Sequence, residues 1–272
     1  PILVLGSVTY YRRTFSVGLR ERATLVFVDA RHFGRLRPEY DPAGTSVETY
    51  VGDIERIRTE IGLQSTTVLG HSHYGNLALE YVTRHPDAAT GLVLIGTPPV
   101  GVRATREAGR RYWASRASDY RKRVLRSNRD ALRSGRSLER SRREAFVARY
   151  VAEGPRYWHD PTFDASPLWR DVPLNMEVVD AFRGLFEDFE LGAVRRVLEA
   201  VPTLAVMGRH DYVVPPTLWD DMAPTHRALS CHVLDRSGHT PQLEEPRLFD
   251  RILLQWLGDA TTVGERLREE AE

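Results

Sequence analysis

The chain has 272 residues, of which 42% are hydrophobic, so it can bury one large core, and α/β folds of this length commonly form one domain with an insertion. Its formal net charge of +1 at pH 7 gives no electrostatic case for nucleic acid as a partner. Cys231 is the single cysteine, which excludes a disulfide framework or a thiolate metal site within the chain. No apolar run reaches the ~18 residues of a membrane span and no signal-peptide pattern is present, so we expect a cytoplasmic protein without a membrane partner.

The first hundred residues alternate between strand and helix patterns. Apolar runs at 2–5, 24–28, 67–69 and 91–96 predict buried strands. Before the third run, Thr45 and Glu48 form a predicted capping box, and apolar residues then recur at helical spacing until Gly62. A second helix follows residues 70–75 and ends at Arg84, just before a proline. This alternation predicts a parallel sheet flanked by helices, with reactive groups outside the carboxyl ends of its strands.

Between residues 101 and 185, arginines and widely spaced aromatic residues replace the strand pattern, which predicts a mostly helical insertion. Its place in the chain favours a cap over a pocket, with core segments at 1–100 and 186–272. The alternative is a peripheral helical layer whose aromatic residues form their own core. The basic stretch at 121–143 is interpreted as a solvated helix face. In the cap interpretation, the candidates for substrate binding are Tyr74, Trp113, Tyr157 and Trp158.

Strand patterns resume after the insertion. The alternation of elements resumes at 194–198, apolar runs at 203–207 and 231–234 predict further strands, and an amphipathic helix is expected at 246–257. Beyond Gly258 the tail is charged, and we expect it to fray. Polar loops follow the last two strands, at 208–211 and 235–239, where a parallel sheet gathers its functional groups.

Three residues with complementary chemistry follow three different predicted strands: Ser72, Asp211 and His239. A serine hydroxyl is a weak nucleophile at neutral pH, so it needs an imidazole to take its proton. The imidazole in turn needs a carboxylate that fixes its tautomer and stabilises its cation. The chain order of serine, aspartate and histidine is the one associated with a parallel-sheet hydrolase. Together these residues predict a catalytic triad, although each alone would be an ordinary turn or surface residue.

From residue 2 to 257 the chain resembles the α/β-hydrolase superfamily, and within it most resembles proline-iminopeptidase-like and small-ester hydrolases. Residues 70–73, Gly-His-Ser-His, resemble its nucleophile elbow, and residues 208–211 followed by Val214 and Pro215 resemble its acid loop. Residues 237–239, with Glu245 and Pro246 downstream, resemble its histidine loop. The resemblance implies an α/β fold with a mostly parallel sheet and a helical cap insertion. It also implies a packing role for His71.

Two departures from the family pattern concern the oxyanion site. The first strand ends in Leu-Gly-Ser where the family usually has His-Gly, so the donors we expect are the backbone N–H groups of Ser7 and His73. Tyr74 replaces the second glycine of the elbow, and we expect Gly75 to provide the space instead. The acidic residues Glu187, Asp188 and Glu190 could bind a substrate amine, whereas the alternative is a solvated helix end.

We therefore expect a cofactor-independent serine hydrolase that cleaves an ester, lactone or amide bond of a small to medium organic substrate. No spacing of residues indicates a metal or nucleotide site. Other reactions of the same triad, such as C–C bond hydrolysis, acyl transfer or cyclisation, are the alternatives within enzymes. A small-molecule receptor with slow turnover is the alternative from another class. The oligomeric state is left open.

Overall fold

The computed structural model describes residues 1–34, 40–135, 140–187, 189, 197–220, 226 and 228–269, and for residues 261–269 the backbone alone. Within these residues, six parallel strands form one sheet in the order β2-β1-β3-β4-β5-β6. The strands are β1 (Ile2–Gly6), β2 (Leu25–Asp29), β3 (Thr66–His71), β4 (Ala89–Ile95), β5 (Thr203–Gly208) and β6 (Leu229–Leu234). The predicted fold class, a parallel sheet flanked by helices, is confirmed.

Helices connect successive strands and cover the sheet. They are α1 (Val8–Tyr11), α2 (Val17–Arg22), α3 (Val47–Glu60), α4 (His73–Arg84), α5 (Val102–Arg116), α6 (Asp119–Ser134), α7 (Arg142–Ala152), α8 (Met176–Gly184), α9 (Pro241–Glu244) and α10 (Pro246–Glu269). Every residue of β1, β3 and β5 is buried, because helices cover both faces of these central strands. In the described residues no helix is both long and apolar enough to cross a membrane.

The order of the strands brings the predicted functional loops to one edge of the sheet. The strands β1, β3, β4, β5 and β6 are neighbours in that sequence, and all of them run in the same direction. Ser7, Ser72, Asp211 and His239 each follow the carboxyl end of one of these strands. The sheet therefore places all four at its carboxyl edge, where parallel sheets hold ligands.

The structure refines three local expectations, of which the N-cap of α3 and the end of the last helix were wrong. The third concerns 194–198, where the alternation of elements was expected to resume: residues 197–200 are helical, and 194–196 lie outside the described residues. The N-cap of α3 is Ser46 rather than Thr45, since the Ser46 hydroxyl accepts the N–H of Thr49 at 3.2 Å. The last helix does not end at residue 257, because α10 continues to Glu269.

The region between β4 and β5 contains the helices α5, α6, α7 and α8 and, among its described residues, no strand. Three of these helices have a side-chain N-cap, namely Ser118 for α6, Ser141 for α7 and Asn175 for α8. Each of these side chains accepts a backbone N–H of the first turn. The helical character of the insertion therefore follows from local sequence signals. Its boundaries at 101 and 185 and its role as a cap stay predictions.

Candidate active site

Ser72 lies on a strained turn between β3 and α4. Its φ of 57° and ψ of −131° are in a region that residues with a side chain rarely adopt. The turn is held by the Ser72 N–H, which donates to the carbonyl of Ile95 at 2.8 Å. A Cβ atom on Gly70 would lie 2.2 Å from the carbonyl oxygen of Tyr74, so only glycine allows the strand and helix to approach this closely. This is the geometry of a nucleophile elbow.

The second small residue of the elbow is Gly75. A Cβ atom on Gly75 would lie 1.9 Å from the Oγ1 of Thr97, at the end of the neighbouring strand β4. Tyr74 instead directs its ring into an aromatic cluster, where its centroid is 5.4 Å from that of Phe182 and its hydroxyl is 2.5 Å from the Nε2 of His32. The elbow therefore keeps its close packing with the glycine moved one residue along the chain.

Asp211 and His239 are in direct contact. The Oδ2 of Asp211 lies 2.6 Å from the Nδ1 of His239, and the two side chains are 0% and 5% exposed. The other carboxylate oxygen accepts the N–H groups of Val213 and Val214 at 2.9 and 2.8 Å. Because an ionised carboxylate only accepts hydrogen bonds, the Nδ1 of His239 carries the proton. The Nε2 of His239 is then the nitrogen that can accept a proton.

A cavity of about 810 Å³ contains both Ser72 and His239 in its lining. Of the four residues predicted to bind substrate, Tyr74 and Tyr157 also line it. Trp113 and Trp158 do not, which corrects the prediction. The Trp158 side chain is 1% exposed and packs with its ring centroid 4.6 Å from that of Phe163. The Trp113 ring packs against Tyr212, which directly follows Asp211, with the centroids 5.1 Å apart.

Comparison with known proteins agrees with this geometry. The family model described as alpha/beta hydrolase fold matches residues 5–246. The chain belongs to the α/β-hydrolase family. It is 30% identical to the AB hydrolase superfamily protein YclE of Bacillus subtilis, over 94% of this chain and 91% of that protein. It is 24% identical to a probable proline iminopeptidase of Leptolyngbya boryana, over 94% and 82% of the two chains. The solved proline iminopeptidase of Mycobacterium smegmatis has the same fold, with a TM-score of 0.64, 18% identity and coverage of 97% and 90%.

The predicted class is thereby confirmed: this α/β-hydrolase family member is a hydrolase enzyme. The family typically uses a serine, histidine and aspartate triad, and the structure brings Ser72, Asp211 and His239 to one edge of the sheet. The predicted oxyanion residues Ser7 and His73 line the same cavity. Within the described part of the chain, neither of their amides donates to a protein acceptor.

His71 supports the backbone of His239 in this α/β-hydrolase. Its Nε2 lies 2.7 Å from the carbonyl oxygen of His239, which can only accept, so the proton is on Nε2. Its Nδ1 lies 2.9 Å from the hydroxyl of Tyr11, which therefore donates to it. Burial lowers the pKa of His71 to about 3, and the nearby His239 acts in the same direction. The neutral ring thus has more than a packing role, because it fixes the position of the histidine loop.

A short segment of the insertion, residues 154–159, which we call the strap, also contacts the histidine loop. The carbonyl of Tyr157 accepts the N–H of His239 at 2.5 Å, and the carbonyl of Arg156 accepts the N–H of Tyr212 at 3.0 Å. A Cβ atom on Gly238 would lie 2.1 Å from the carbonyl oxygen of Tyr157, so this approach requires glycine. The strap therefore joins the insertion to both the acid loop and the histidine loop.

Arg121 and Glu244 hold the strap, and sequence analysis missed both roles. Arg121 is 5% exposed, not on a solvated face as predicted, and its guanidinium donates to the carbonyls of Pro155 and Trp158, each at 2.7 Å. Glu244 accepts the N–H of His159 at 2.7 Å and that of Gly238 with its other oxygen. Burial raises the pKa of Glu244 to about 8, against the lowering effect of these two N–H donors. A single arginine in a basic run carries no sequence signal of burial, so this contact could not be expected.

The acidic group proposed as an amine site is only partly described. Asp188 and Glu190 lie outside the described residues. Glu187 is 45% exposed on its side chain and lies 3.7 Å from the guanidinium of Arg106. This carboxylate therefore faces a cation of the protein itself.

Proposed function

We propose that the chain is a serine hydrolase in which Ser72 is the nucleophile, His239 the general base and acid, and Asp211 the residue that orients the imidazole. The observation that supports this most strongly is the 2.6 Å bond between Asp211 and His239 at the cavity that also contains the strained elbow of Ser72. The strained turn presents the Ser72 hydroxyl at the edge of the sheet. The buried hydrogen bond between Asp211 and the Nδ1 of His239 leaves the Nε2 of His239 as the proton acceptor.

In the proposed reaction, the Nε2 of His239 takes the hydroxyl proton as the Oγ of Ser72 attacks a carbonyl carbon of the substrate. The tetrahedral intermediate collapses when His239 gives that proton to the leaving oxygen or nitrogen, which leaves an acyl group on Ser72. A water molecule then gives a proton to His239 and attacks the acyl carbon, and Ser72 is released with its proton restored. Asp211 stabilises the imidazolium that forms in each half of the reaction.

Two backbone amides are proposed to stabilise the oxyanion. The N–H of His73 is the first of α4, a helix of 12 residues, so it has no acceptor within the helix and carries its partial positive charge. The N–H of Ser7 follows β1 on the adjacent side of the cavity. The Ser7 hydroxyl oxygen caps α1 by accepting the N–H of Tyr10 at 3.3 Å, which holds Ser7 in place. Ser7 contributes its amide to this site, and its hydroxyl proton remains a second donor.

The proposed substrate is a small to medium organic ester, lactone or amide with an apolar portion. The cavity volume of about 810 Å³ is in the range of small-molecule sites, and aromatic side chains form much of its wall. Tyr10, Tyr150, Tyr157 and Trp169 are among them. The insertion then acts as a cap that supplies Tyr150, Tyr157 and Trp169, whereas Tyr10 comes from α1. A relative named as a probable proline iminopeptidase supports a peptidase-like member of this range.

The test compares the wild type with Ser72→Ala and with Ser115→Ala, an exposed serine of α5 outside the cavity. We expect Ser72→Ala to remain folded but to lose both labelling by a fluorophosphonate probe and turnover of 4-nitrophenyl esters, by about 10³-fold or more. Ser115→Ala should behave as the wild type in both assays. Unchanged turnover in a folded Ser72→Ala variant would disprove the proposal.

A further inference from the structure

The mouth of the cavity is strongly positive. Among the described residues that line it are six arginines and two carboxylates, Glu153 and Asp180. The two histidines beside Ser72 are neutral and add no charge, because burial lowers the pKa of His73 to about 4 and that of His71 to about 3. Walls of one sign around a cleft of low dielectric attract a solute of the opposite sign.

Some of these arginines are already neutralised. The Nε of Arg129 lies 2.6 Å from Glu153, and the two side chains form a second bond at 2.8 Å. The guanidinium of Arg142 lies 2.6 Å from Asp180. These short pairs satisfy the charge of both arginines within the protein.

Arg106 and Arg183 differ from these two because the nearest carboxylates in the described part of the chain are at the limit of an ion pair. Arg106 lies 3.7 Å from Glu187, and Arg183 lies 4.0 Å from Asp180, which already binds Arg142 at short range. Both guanidinium groups are largely exposed, at 62% and 55% of their side chains. Their hydrogen-bonding groups are therefore available to a solute that enters the cavity.

Both arginines also lie close enough to the proposed nucleophile to act on its neighbour. His73 directly follows Ser72, and the positive charges of Arg106 and Arg183 are among the causes that lower its pKa, after burial as the largest cause. Arg106 belongs to α5 and Arg183 to α8, so two separate helices of the insertion direct positive charge at the cavity. A substrate held by Ser72 would therefore share the cavity with these two groups.

We propose that Arg106 and Arg183 bind an anionic group of the substrate, so that the preferred substrates carry a carboxylate remote from the bond that is cleaved. This inference rests on the proposed function and adds to it the class of substrate. A guanidinium presents paired donors that match the two oxygens of a carboxylate, and two such groups on different helices bind it from two directions. The neutral aromatic walls contact the apolar chain between the anion and the carbonyl.

The experiment uses two esters with the same 4-nitrophenyl leaving group and the same acyl chain: mono-4-nitrophenyl adipate, with a free carboxylate, and its methyl ester, in which a methyl group removes that charge. We expect the wild type to have a kcat/KM at least about tenfold higher for the anion at low salt, and a smaller preference at 0.5 M NaCl. Arg106→Gln and Arg183→Gln should each lower kcat/KM for the anion by about three- to tenfold, mainly through KM. In both variants the loss for the methyl ester should be smaller than the loss for the anion.

The matched control is Arg110→Gln, an exposed residue of α5 outside the cavity, which should leave both values unchanged. Equal turnover of the two esters by the wild type, or equal losses for both esters in the two variants, would overturn the inference while leaving the hydrolase proposal intact. Failure to cleave either ester would count against the proposed function, and the inference would then be decided by calorimetric binding of monomethyl adipate. Equal affinity for monomethyl adipate in the double variant Arg106→Gln/Arg183→Gln and in the control Arg110→Gln would overturn the inference.

Discussion

Replacing Gly75 by alanine tests whether this glycine provides the close contact that an elbow of this kind needs. The new Cβ atom would lie 1.9 Å from the Oγ1 of Thr97 and 2.6 Å from its Cγ2, far inside normal contact distances. Thr97 has little freedom to move, because it is 1% exposed and its carbonyl accepts the indole N–H of Trp219 at 2.9 Å. The helix or the end of β4 must therefore shift.

The expected size of the effect follows from two opposing contributions. Overpacking of a rigid site usually costs about 1–3 kcal/mol, and a contact this short belongs at the upper end. Alanine in place of glycine within a helix gains up to about 1 kcal/mol, and less in the first turn of α4. We expect a net loss of about 2 kcal/mol in the free energy of unfolding, with a larger proportional loss of hydrolysis because the shift displaces Ser72.

Urea denaturation measures the loss against a matched control. Gly52 lies within α3 and is exposed, and a Cβ atom added to it would have no other atom within 4 Å, so Gly52→Ala should stabilise the protein by about 0.5–1 kcal/mol. Adding Thr97→Ala to Gly75→Ala removes the closest atom and should recover part of the loss, a non-additive result expected of residues in contact. A Gly75→Ala variant as stable as the wild type would refute this explanation of the elbow.

Two further predictions concern the residues that hold the strap. Arg121→Met leaves buried carbonyls without donors, so we expect the free energy of unfolding to fall by about 1–3 kcal/mol in urea denaturation, together with a lower kcat. Arg123→Met, at an exposed position of α6, should change neither quantity. Equal stability of the two variants would contradict this prediction. Burial raises the pKa of Glu244 from 4.5 to about 8, so the folded protein binds this proton more tightly than the unfolded chain and loses stability as pH rises between these values. The stability of the wild type relative to Glu244→Gln should therefore decrease from about pH 5 to about pH 9, and a constant difference would exclude the titration of this carboxyl.

Most of the sheet could be predicted because its strands are short, continuous apolar runs that end in polar loops. The signal did not assign 194–198 to a strand or a helix, because two arginines interrupt its apolar residues, and residues 197–200 are helical. The helix α10 was predicted too short because its charged continuation after Gly258 was interpreted as a fraying tail, although α10 extends to Glu269. Local patterns thus identified the elements better than their ends.

The candidate site could be predicted only where a residue follows a strand. Ser72, Asp211 and His239 are such residues, and the parallel sheet converts their positions along the chain into proximity. The insertion offers no comparable rule, because the path of its helices decides which residue faces the cavity. Trp158 therefore lies in the core and not in the cavity wall where it was predicted, and Arg121 is buried despite its charge.

The strap contributes to the cavity wall and to the support of the histidine loop through different parts of one residue. The ring of Tyr157 forms part of the cavity wall, with its centroid 5.6 Å from that of His239, whereas the contact that holds the His239 backbone uses the Tyr157 carbonyl. Since the carbonyl is common to all residues, the side chain at 157 can change with the substrate while the support of the histidine is kept. Position 238 has no such freedom, because any side chain there would meet the strap backbone. Specificity can therefore vary through side chains of the insertion, while the geometry of the proposed triad depends on its backbone.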